Sequence, residues 1–512
     1  MFLPSGLPEN LSRNHSTPSV MHLIIRLDRG RLLKWHVRLV ERIAKRPATK
    51  VSVQWAPQAT HLPSVVRTFF ALEKLVYGLP KERISDPATP ADFAAFTSCL
   101  PNFAAATDLM LDLSGNARSA DIPVWQLAFD GIPDEEAAIG ALADLRLPVI
   151  SIIDAGRGEH LVCGLPGVMS NGVLVQAFED VLVRATTMIS AALDRAQAGH
   201  PGVEHQTKTA TVPKLARFAM KSLRGALVSR LYRLCFHAPH WRVGWRYIDG
   251  PGIIELGRLP DGGWRDLPDD RKHFYADPFP VIRDGRTFVF VEDFSHQLGR
   301  AVISVVEFDE SGPIGMPRPV LDTGSHASYP YVFEHRGEMW MVPETTETET
   351  IDLYRAAAFP DVWVKEATLL SNIAASDATL FEHDGRWWMF ATVRDGGGSY
   401  SDVLHAWWAR DPFGPWQAHP RNPILVDIAS ARPAGRVVHH AGKLIRPVQD
   451  CSRTYGGALG LAEIRRLDED GFEQHVEVVL QPGALWPGRR LHTLNRAGRL
   501  ECIDGSRLAP RL

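Results

Sequence analysis

The sequence predicts two folds in series: an α/β domain with a mostly parallel sheet, then an all-β propeller of five blades. Two observations predict this. Short β-branched runs alternate with amphipathic stretches up to about residue 200, and from residue 245 a strand-turn-strand form with glycine in the turn recurs five times. Composition is compatible with both. A chain of 512 residues exceeds a single ordinary core, and 45% hydrophobic with 22% charged residues is near the globular average.

The first element, residues 1–20, is polar and broken by proline, without the charged start and apolar core of a signal peptide. It is expected to be disordered, and the chain to be cytoplasmic. No stretch reaches about 18 consecutive apolar residues; the longest apolar region is interrupted by Glu179, Asp180 and Arg184.

The α/β domain is assigned to residues 21–200. MHLIIRL, RLLKWHVRLVERIAKR and KVSVQW form a βαβ unit, with Leu33, Val37, Val40 and Ala44 at helical spacing and Leu32, Leu39 and Ile43 widening the face. Strands are expected at 108–113, 123–127 and 148–153 and a closing helix at 172–196. The strand DLMLDLSGN ends in Ser114-Gly115-Asn116, at the carboxyl edge where open α/β sheets bind ligands. Two readings stand: a tight turn that needs glycine, or a ligand loop with Asn116 as its cofactor-binding residue. The glycine spacing of a dinucleotide or phosphate loop is lacking.

With Val124-Trp125-Gln126-Leu127 following that strand, residues 21–196 resemble, in degenerate form, the N-terminal domain of methionyl-tRNA-type formyltransferases. The resemblance implies one-carbon transfer from a folate by an Asn, a His and an Asp. Asn116 is the one match, and no His lies between Leu62 and Glu159. An inactive or repurposed binding domain is expected, and formyl or acyl transfer to an amino sugar is the least favoured function.

Residues 201–244 form a basic linker. No acid lies between Glu204 and Asp249, whereas Lys208, Lys214, Arg217, Lys221, Arg224, Arg230, Arg233, Arg242 and Arg246 accumulate. Leu215, Phe218, Leu223, Leu227, Leu231 and Leu234 follow Pro213 mostly at three- and four-residue spacing, which predicts an amphipathic helix from Pro213 to Phe236. It either packs between domains or lies on an anionic membrane surface, peripheral to its inner face. The net charge of −3, from 56 Lys plus Arg against 59 Asp plus Glu, provides no global attraction for nucleic acid. Five cysteines without a CxxC pair give neither a disulfide framework nor a zinc knuckle, and the carboxylates lack metal-site spacing, so no metal is expected.

The propeller is assigned to residues 245–512. Its turn glycines, Gly285, Gly337, Gly385, Gly442 and Gly498, lie 52, 48, 57 and 56 residues apart, and each interval leaves room for two further strands, hence one four-stranded blade per repeat. Propellers bring comparable repeat positions to one channel. Eight residues before the glycine stand Asp277, Tyr329 and Asp377, with Arg432 near that position in the fourth repeat; seven after it stand Glu292, Glu344, Thr392 and Gln449. Carboxylates at the inner ends of apolar strands need compensation. Asp277, Glu344, Asp377 and Glu292 are therefore the candidate catalytic residues. Tyr329, Arg432, Gln449, Asp450 and Tyr455 are the candidate substrate-binding residues. Arg432 is either a counter-ion to the acids or a phosphate or carboxylate ligand.

The segments YADPF, SYPYVFE, MVPET, SDATLFEHDGRWWMFAT, ARPAG and RPVQDCSRTYGG occur in order. In them residues 245–480 resemble the propeller domain that precedes the transferase domain of plant glucosamine inositolphosphorylceramide transferases and that is joined in bacteria to a formyltransferase-like domain. The resemblance extends more distantly to five-bladed arabinanases, xylosidases, invertases and levansucrases. It implies a carboxylate base or nucleophile, matched by Asp277, and a modulator, matched by Asp377. Arg432 occupies the fourth-blade position, and Glu344 is the best substitute acid. The expected function is glycosyl transfer in glycan or glycolipid assembly. Asp277 would activate the acceptor, Glu344 or Glu292 would protonate, and the donor would be a nucleotide-sugar or another phosphorylated sugar. Hydrolysis by the same acids and non-catalytic glycan binding are the alternatives.

Overall fold

The computed structural model describes residues 20–57, 61–97, 107–115, 122–198, 214–237 and 239–511. The terminus expected to be disordered, save Val20, lies outside them, as do Asn116 and Pro213. Ahead of the propeller the elements run β1 (Met21–Leu27), α1 (Lys34–Ala44), β2 (Thr49–Trp55), α2 (Ser64–Val76), β3 (Leu109–Asp112), β4 (Val124–Phe129), α3 (Glu135–Ala143), β5 (Ile150–Asp154), β6 (Glu159–Gly164), α4 (Leu174–Ala198) and α5 (Leu215–Cys235). The expected strands and both long helices are present. Helices α2 and α3 and strand β6 were not anticipated.

Contacts divide the chain into two compact units whose limits differ from the boundaries read from sequence. The first holds the chain up to Leu62, Glu82–Gln126 and Asp154–Gly158. Within it β1 pairs in parallel with β2 and β3, and β3 with β4, so that Ile25 faces Val53 and Leu111, and Leu111 faces Trp125. Helix α1 buries Trp35, His36, Leu39, Val40 and Ile43, a face rotated from the expected one; Val37 and Ala44 are only half-buried. Asp112, fully buried at the end of β3, accepts hydrogen bonds from the N–H and hydroxyl of Ser114. This turn is an Asx turn, which is the physical content of the Ser114-Gly115 signal.

The second unit holds Pro63–Lys81, Leu127–Ile153 and everything from Glu159. Helix α4, expected to close the α/β domain, packs here. The Glu73 carboxylate of α2 accepts the N–H groups of Leu174 and Val175, both at 2.8 Å, and caps its first turn. Further along α4, Arg184 is fully buried and its Nε donates to Asp402 of the propeller at 2.8 Å. Asp402 also accepts the N–H of Gly167 at 2.7 Å. A Cβ at residue 167 would stand 2.5 Å from Ile428 and 2.7 Å from Ser399, so glycine is what lets the segment after β6 lie this close.

The propeller has five sheets. The inner hairpins are His273–Arg283 with Arg286–Ser295, Ser328–His335 with Glu338–Glu344, Ala375–His383 with Arg386–Val393, Val438–His440 with Lys443–Asp450, and Leu494–Ala497 with Leu500–Ser506. In the first four, both central turn residues have positive φ: Asp284-Gly285, Arg336-Gly337, Asp384-Gly385 and Ala441-Gly442. These are the primed turns that match strand twist, which explains why each repeat needs its glycine. The fifth repeat departs from expectation. Its outer strands do not follow Gly498 but come from Trp241–Tyr247 and Arg265–Asp266, ahead of the first repeat. Both ends of the propeller sequence thus share one blade and close the ring, which leaves no open edge between first and last blades.

Candidate functional site

Three blades carry the same backbone irregularity at the same repeat position. Asp277, Tyr329 and Asp377 have φ of 48°, 43° and 55°, and the register of each inner hairpin shifts there, between residues 276 and 279, 328 and 331, and 376 and 379. Each is a bulge with a non-glycine residue in the left-handed region, a conformation held only where surrounding structure enforces it and one that clusters at functional sites. The repeat offset that singled out these residues is this bulge.

The bulged residues are woven together. The Asp277 N–H donates to Asp504 at 2.8 Å, and its carboxylate accepts from the Thr493 hydroxyl at 2.8 Å and the Tyr329 N–H at 3.3 Å. The Asp377 N–H donates to Glu344 at 3.0 Å, and the Asp377 carboxylate accepts from Arg432 Nε at 2.6 Å and from Gln449 Nε2 at 2.9 Å. Arg432 reaches Glu344 at 3.3 Å and directs its remaining nitrogen at the Tyr400 carbonyl and the Ser401 hydroxyl, both at 3.4 Å. All its donors have protein partners, which places it as the counter-ion of the acids.

Beside this network lies a cavity of about 640 Å³. Glu344, Arg432, His326, Thr346, Ser376 and Ser401 form its polar wall, Tyr400 and Tyr455 its aromatic wall, and Val168 and Met169 of the segment held by Gly167 add an apolar edge. Exposed Arg453 stands on the same wall. Of the predicted residues, Glu344, Arg432 and Tyr455 line the cavity. Tyr329 does not: fully buried, its hydroxyl pairs with Thr379 at 2.9 Å and accepts the Gly435 N–H at 2.8 Å. Asp450 does not either, being the acceptor of an Asx turn closed by Ser452. Asp277, Asp377 and Gln449 are buried behind the wall, whereas the Glu292 side chain, 11% exposed against 12% for Glu344, stands beside the wall residue His326. The aromatics Tyr275, Phe279, Tyr331, Trp388 and Trp407, which flank the repeat motifs, are core residues.

The acids divide by environment. Burial tends to raise the Glu344 pKa, but Arg432 and the hydrogen bonds from Asp377 and Thr346 outweigh it and hold that carboxyl below its ordinary 4.5. Burial, then repulsion from Asp277 and Glu344, pushes Glu292 well above its ordinary range. Burial likewise raises Asp377 against the pull of Arg432, and raises Asp277 to about 6 against that of His492. Glu344 is therefore the more readily ionised of the two, and Glu292 the one that holds its proton more tightly. This runs against the reading of Glu344 as the substitute acid, since the neighbour that decides is Arg432, from another blade.

Sequence reasoning missed His492, Thr493 and Asp504. His492 Nδ1 lies 2.6 Å from Asp504, and its Nε2 lies 3.7 Å from Asp277. In the fifth hairpin Gly498 is the first rather than the second residue of the turn, and His492 and Asp504 fall six before and six after it rather than at the shared offsets. Asp277, His492 and Asp504 offer three ligand atoms within 4.8 Å of one another. Each is already hydrogen-bonded to protein, and the imidazole donates to Asp504 while its other nitrogen stands 3.7 Å from Asp277.

Residues 268–503 match the family model described as glucosamine inositolphosphorylceramide transferase 1, N-terminal. The glucosamine inositolphosphorylceramide transferase 1 of Oryza sativa subsp. japonica is 32% identical over 250 residues, covering 46% of this chain and 34% of that protein. The Arabidopsis thaliana protein of the same name is 30% identical over 303 residues, covering 52% and 39%. The chain thus spans between a third and two fifths of these relatives' length. The resemblance of the propeller to this domain is accordingly met. Among solved structures, Zg3597, a family 117 glycoside hydrolase of Zobellia galactanivorans, aligns with TM-score 0.35 at 10% identity, covering 52% of this chain and 90% of that one. The GH43 protein BlXynB of Bacillus licheniformis aligns with TM-score 0.32 at 16% identity, covering 44% and 51%.

Proposed function

We propose that this protein transfers a sugar in glycolipid assembly, in the cavity walled by Glu344 and Arg432. The observation that carries the proposal is the pair of carboxyls with opposite tendencies, Glu344 held ionised on the wall and Glu292 held protonated beside His326, with His326 Nε2 3.6 Å from Glu292. General acid-base chemistry at a glycosidic carbon needs such a pair, one to accept a proton and one to give it. Glu344 takes the proton of the acceptor hydroxyl, and Glu292 gives its proton to the leaving oxygen. Next to burial, repulsion from Asp277 makes Glu292 hold its proton more tightly. Tyr400 and Tyr455 supply faces on which a sugar ring stacks, and Arg453 supplies a cation for phosphate.

The rice and Arabidopsis relatives are named for inositolphosphorylceramide, and the proposal takes from them an acceptor of that chemistry, a phosphate-bearing glycolipid headgroup. The donor is a phosphorylated sugar. The N-terminal strands, with Ser114-Gly115 at the end of β3, serve as a degenerate formyltransferase-type binding domain. The test incubates the full chain with nucleotide-sugars and phosphoinositol lipids, and separately with aryl-glycosides, and reads product mass. A glycosylated lipid is the expected product. Free sugar from aryl-glycosides without transfer makes the chain a hydrolase, and oligosaccharide binding without turnover makes it a binding module; either overturns the proposal.

A further inference from the structure

Helix α5 has two opposed apolar faces. At its start one face is anchored: Leu215 and Phe218 are buried, the Phe218 ring meets Phe69 edge-on with centroids 6.2 Å apart, and Ser222 pairs with Tyr77 at 2.9 Å. The other face points to solvent. Met220, Leu223, Leu227, Leu231 and Leu234 are between 56% and 74% exposed. Their spacing of three, four, four and three residues puts them on one stripe about 21 Å long. At 3.6 residues per turn, Arg217 and Arg224 border the stripe on one side and Arg230 and Arg233 on the other.

We infer that α5 lies in the surface of an anionic lipid bilayer, with its leucine stripe among the acyl chains near the headgroups and its arginines against lipid phosphates. Charge decides between a membrane and a second copy of the chain. The stripe is bordered by cations, and the sequence carries no acid from residue 205 to residue 248, so two such faces brought together would repel, whereas an anionic surface neutralises every one. No helix among the described residues is long and apolar enough to cross a membrane, so the inferred attachment is along the surface.

The experiment sediments the full chain with vesicles of phosphatidylcholine, with and without phosphatidylglycerol. Retention is expected only on the anionic vesicles. It should fall sharply between about 0.1 M and about 1 M salt, where the Debye length shrinks from about 10 Å to about 3 Å. Arg224→Gln and Arg230→Gln should each weaken partitioning about fivefold, since a lipid-facing cation contributes roughly 1 kcal/mol and about 1.4 kcal/mol is tenfold. Leu223→Asp with Leu227→Asp should abolish retention while leaving the melting temperature unchanged, because both side chains face solvent. Equal retention on neutral vesicles, insensitivity to salt, or wild-type retention by the Leu223→Asp, Leu227→Asp chain would overturn the inference. So would no retention at low salt, including the case of a dimer that the same double variant disperses.

Discussion

His492 donates through Nδ1 to Asp504 at 2.6 Å while its Nε2 faces Asp277 at 3.7 Å, so one imidazole stands between two buried carboxylates. It pulls the Asp277 pKa down against burial and the Asp504 charge, and the balance is about 6. The fifth blade, sewn from both ends of the propeller sequence, thereby sets the charge of a residue on the first.

That arrangement makes Asp277 a lever on Glu292. Asp277→Asn removes the largest single charge raising Glu292, so the alkaline limb of the pH-activity profile should move to lower pH, with little change in the maximum. His492→Gln should leave Asp277 more readily protonated and so less repulsive to Glu292, moving the same limb in the same direction by a smaller amount. A pH-rate series on the three proteins checks both, and unmoved limbs would detach Asp277 from the acid.

Glu292→Gln should lose activity by about 10²- to 10⁴-fold, the usual cost of removing a general acid or base. It should also gain stability at neutral pH. Glu292 has a folded pKa above its ordinary 4.5, so the folded state holds the proton more tightly than the unfolded one. Its contribution is complete below pH 4.5 and is lost as pH rises through the folded value. Gln, which carries no charge to desolvate, escapes that loss. Melting temperatures of both proteins from pH 4 to pH 8 should therefore diverge upward with pH, and a constant gap would contradict a protonated Glu292.

How much of this was legible depended on whether a feature is local. The turn glycines, the strand runs and the offsets of Asp277, Asp377, Glu292 and Glu344 are properties of single hairpins, and each can be read from a dozen residues. The state of Glu344 is not local, because it is set by Arg432, 88 residues away on another blade. Tyr329 shows the limit of the repeat argument. It occupies the same bulge as the two aspartates, yet its ring is long enough to turn into the core and bond Thr379 and Gly435. The fifth blade was misread because its outer strands precede the first repeat in sequence. The placement of α4 depended on Arg184, a single buried charge whose partner lies 218 residues away.

Arg432 and Arg453 should separate structure from recognition. Arg432→Met leaves Glu344 and Asp377 without their shared cation, and breaking a buried pair of this kind typically costs about 3–5 kcal/mol. A lowered denaturation midpoint is therefore expected with loss of activity. Arg453 is exposed on the cavity wall, so Arg453→Gln should leave the midpoint unchanged and weaken a phosphate-bearing ligand more than a neutral sugar. Calorimetry with both ligands reads the difference, and equal weakening of the two would remove Arg453 from phosphate recognition.

The last prediction concerns how the cavity keeps its apolar edge. Val168 and Met169 are held there because Asp402 accepts the Gly167 N–H and is itself neutralised by Arg184, both side chains being fully buried. Arg184→Met strands a buried carboxylate and should cost about 3–5 kcal/mol, whereas Arg184→Met with Asp402→Leu removes both charges and should recover much of that loss. The recovery would be in stability alone. Without Asp402 the Gly167 N–H has lost its acceptor, so amide exchange across residues 165–171 should quicken in the double variant even as its melting temperature returns, and ligand affinity should stay low. Affinity that returns with stability would mean that packing against Ile428 and Ser399, not this ion pair, holds the segment over the cavity.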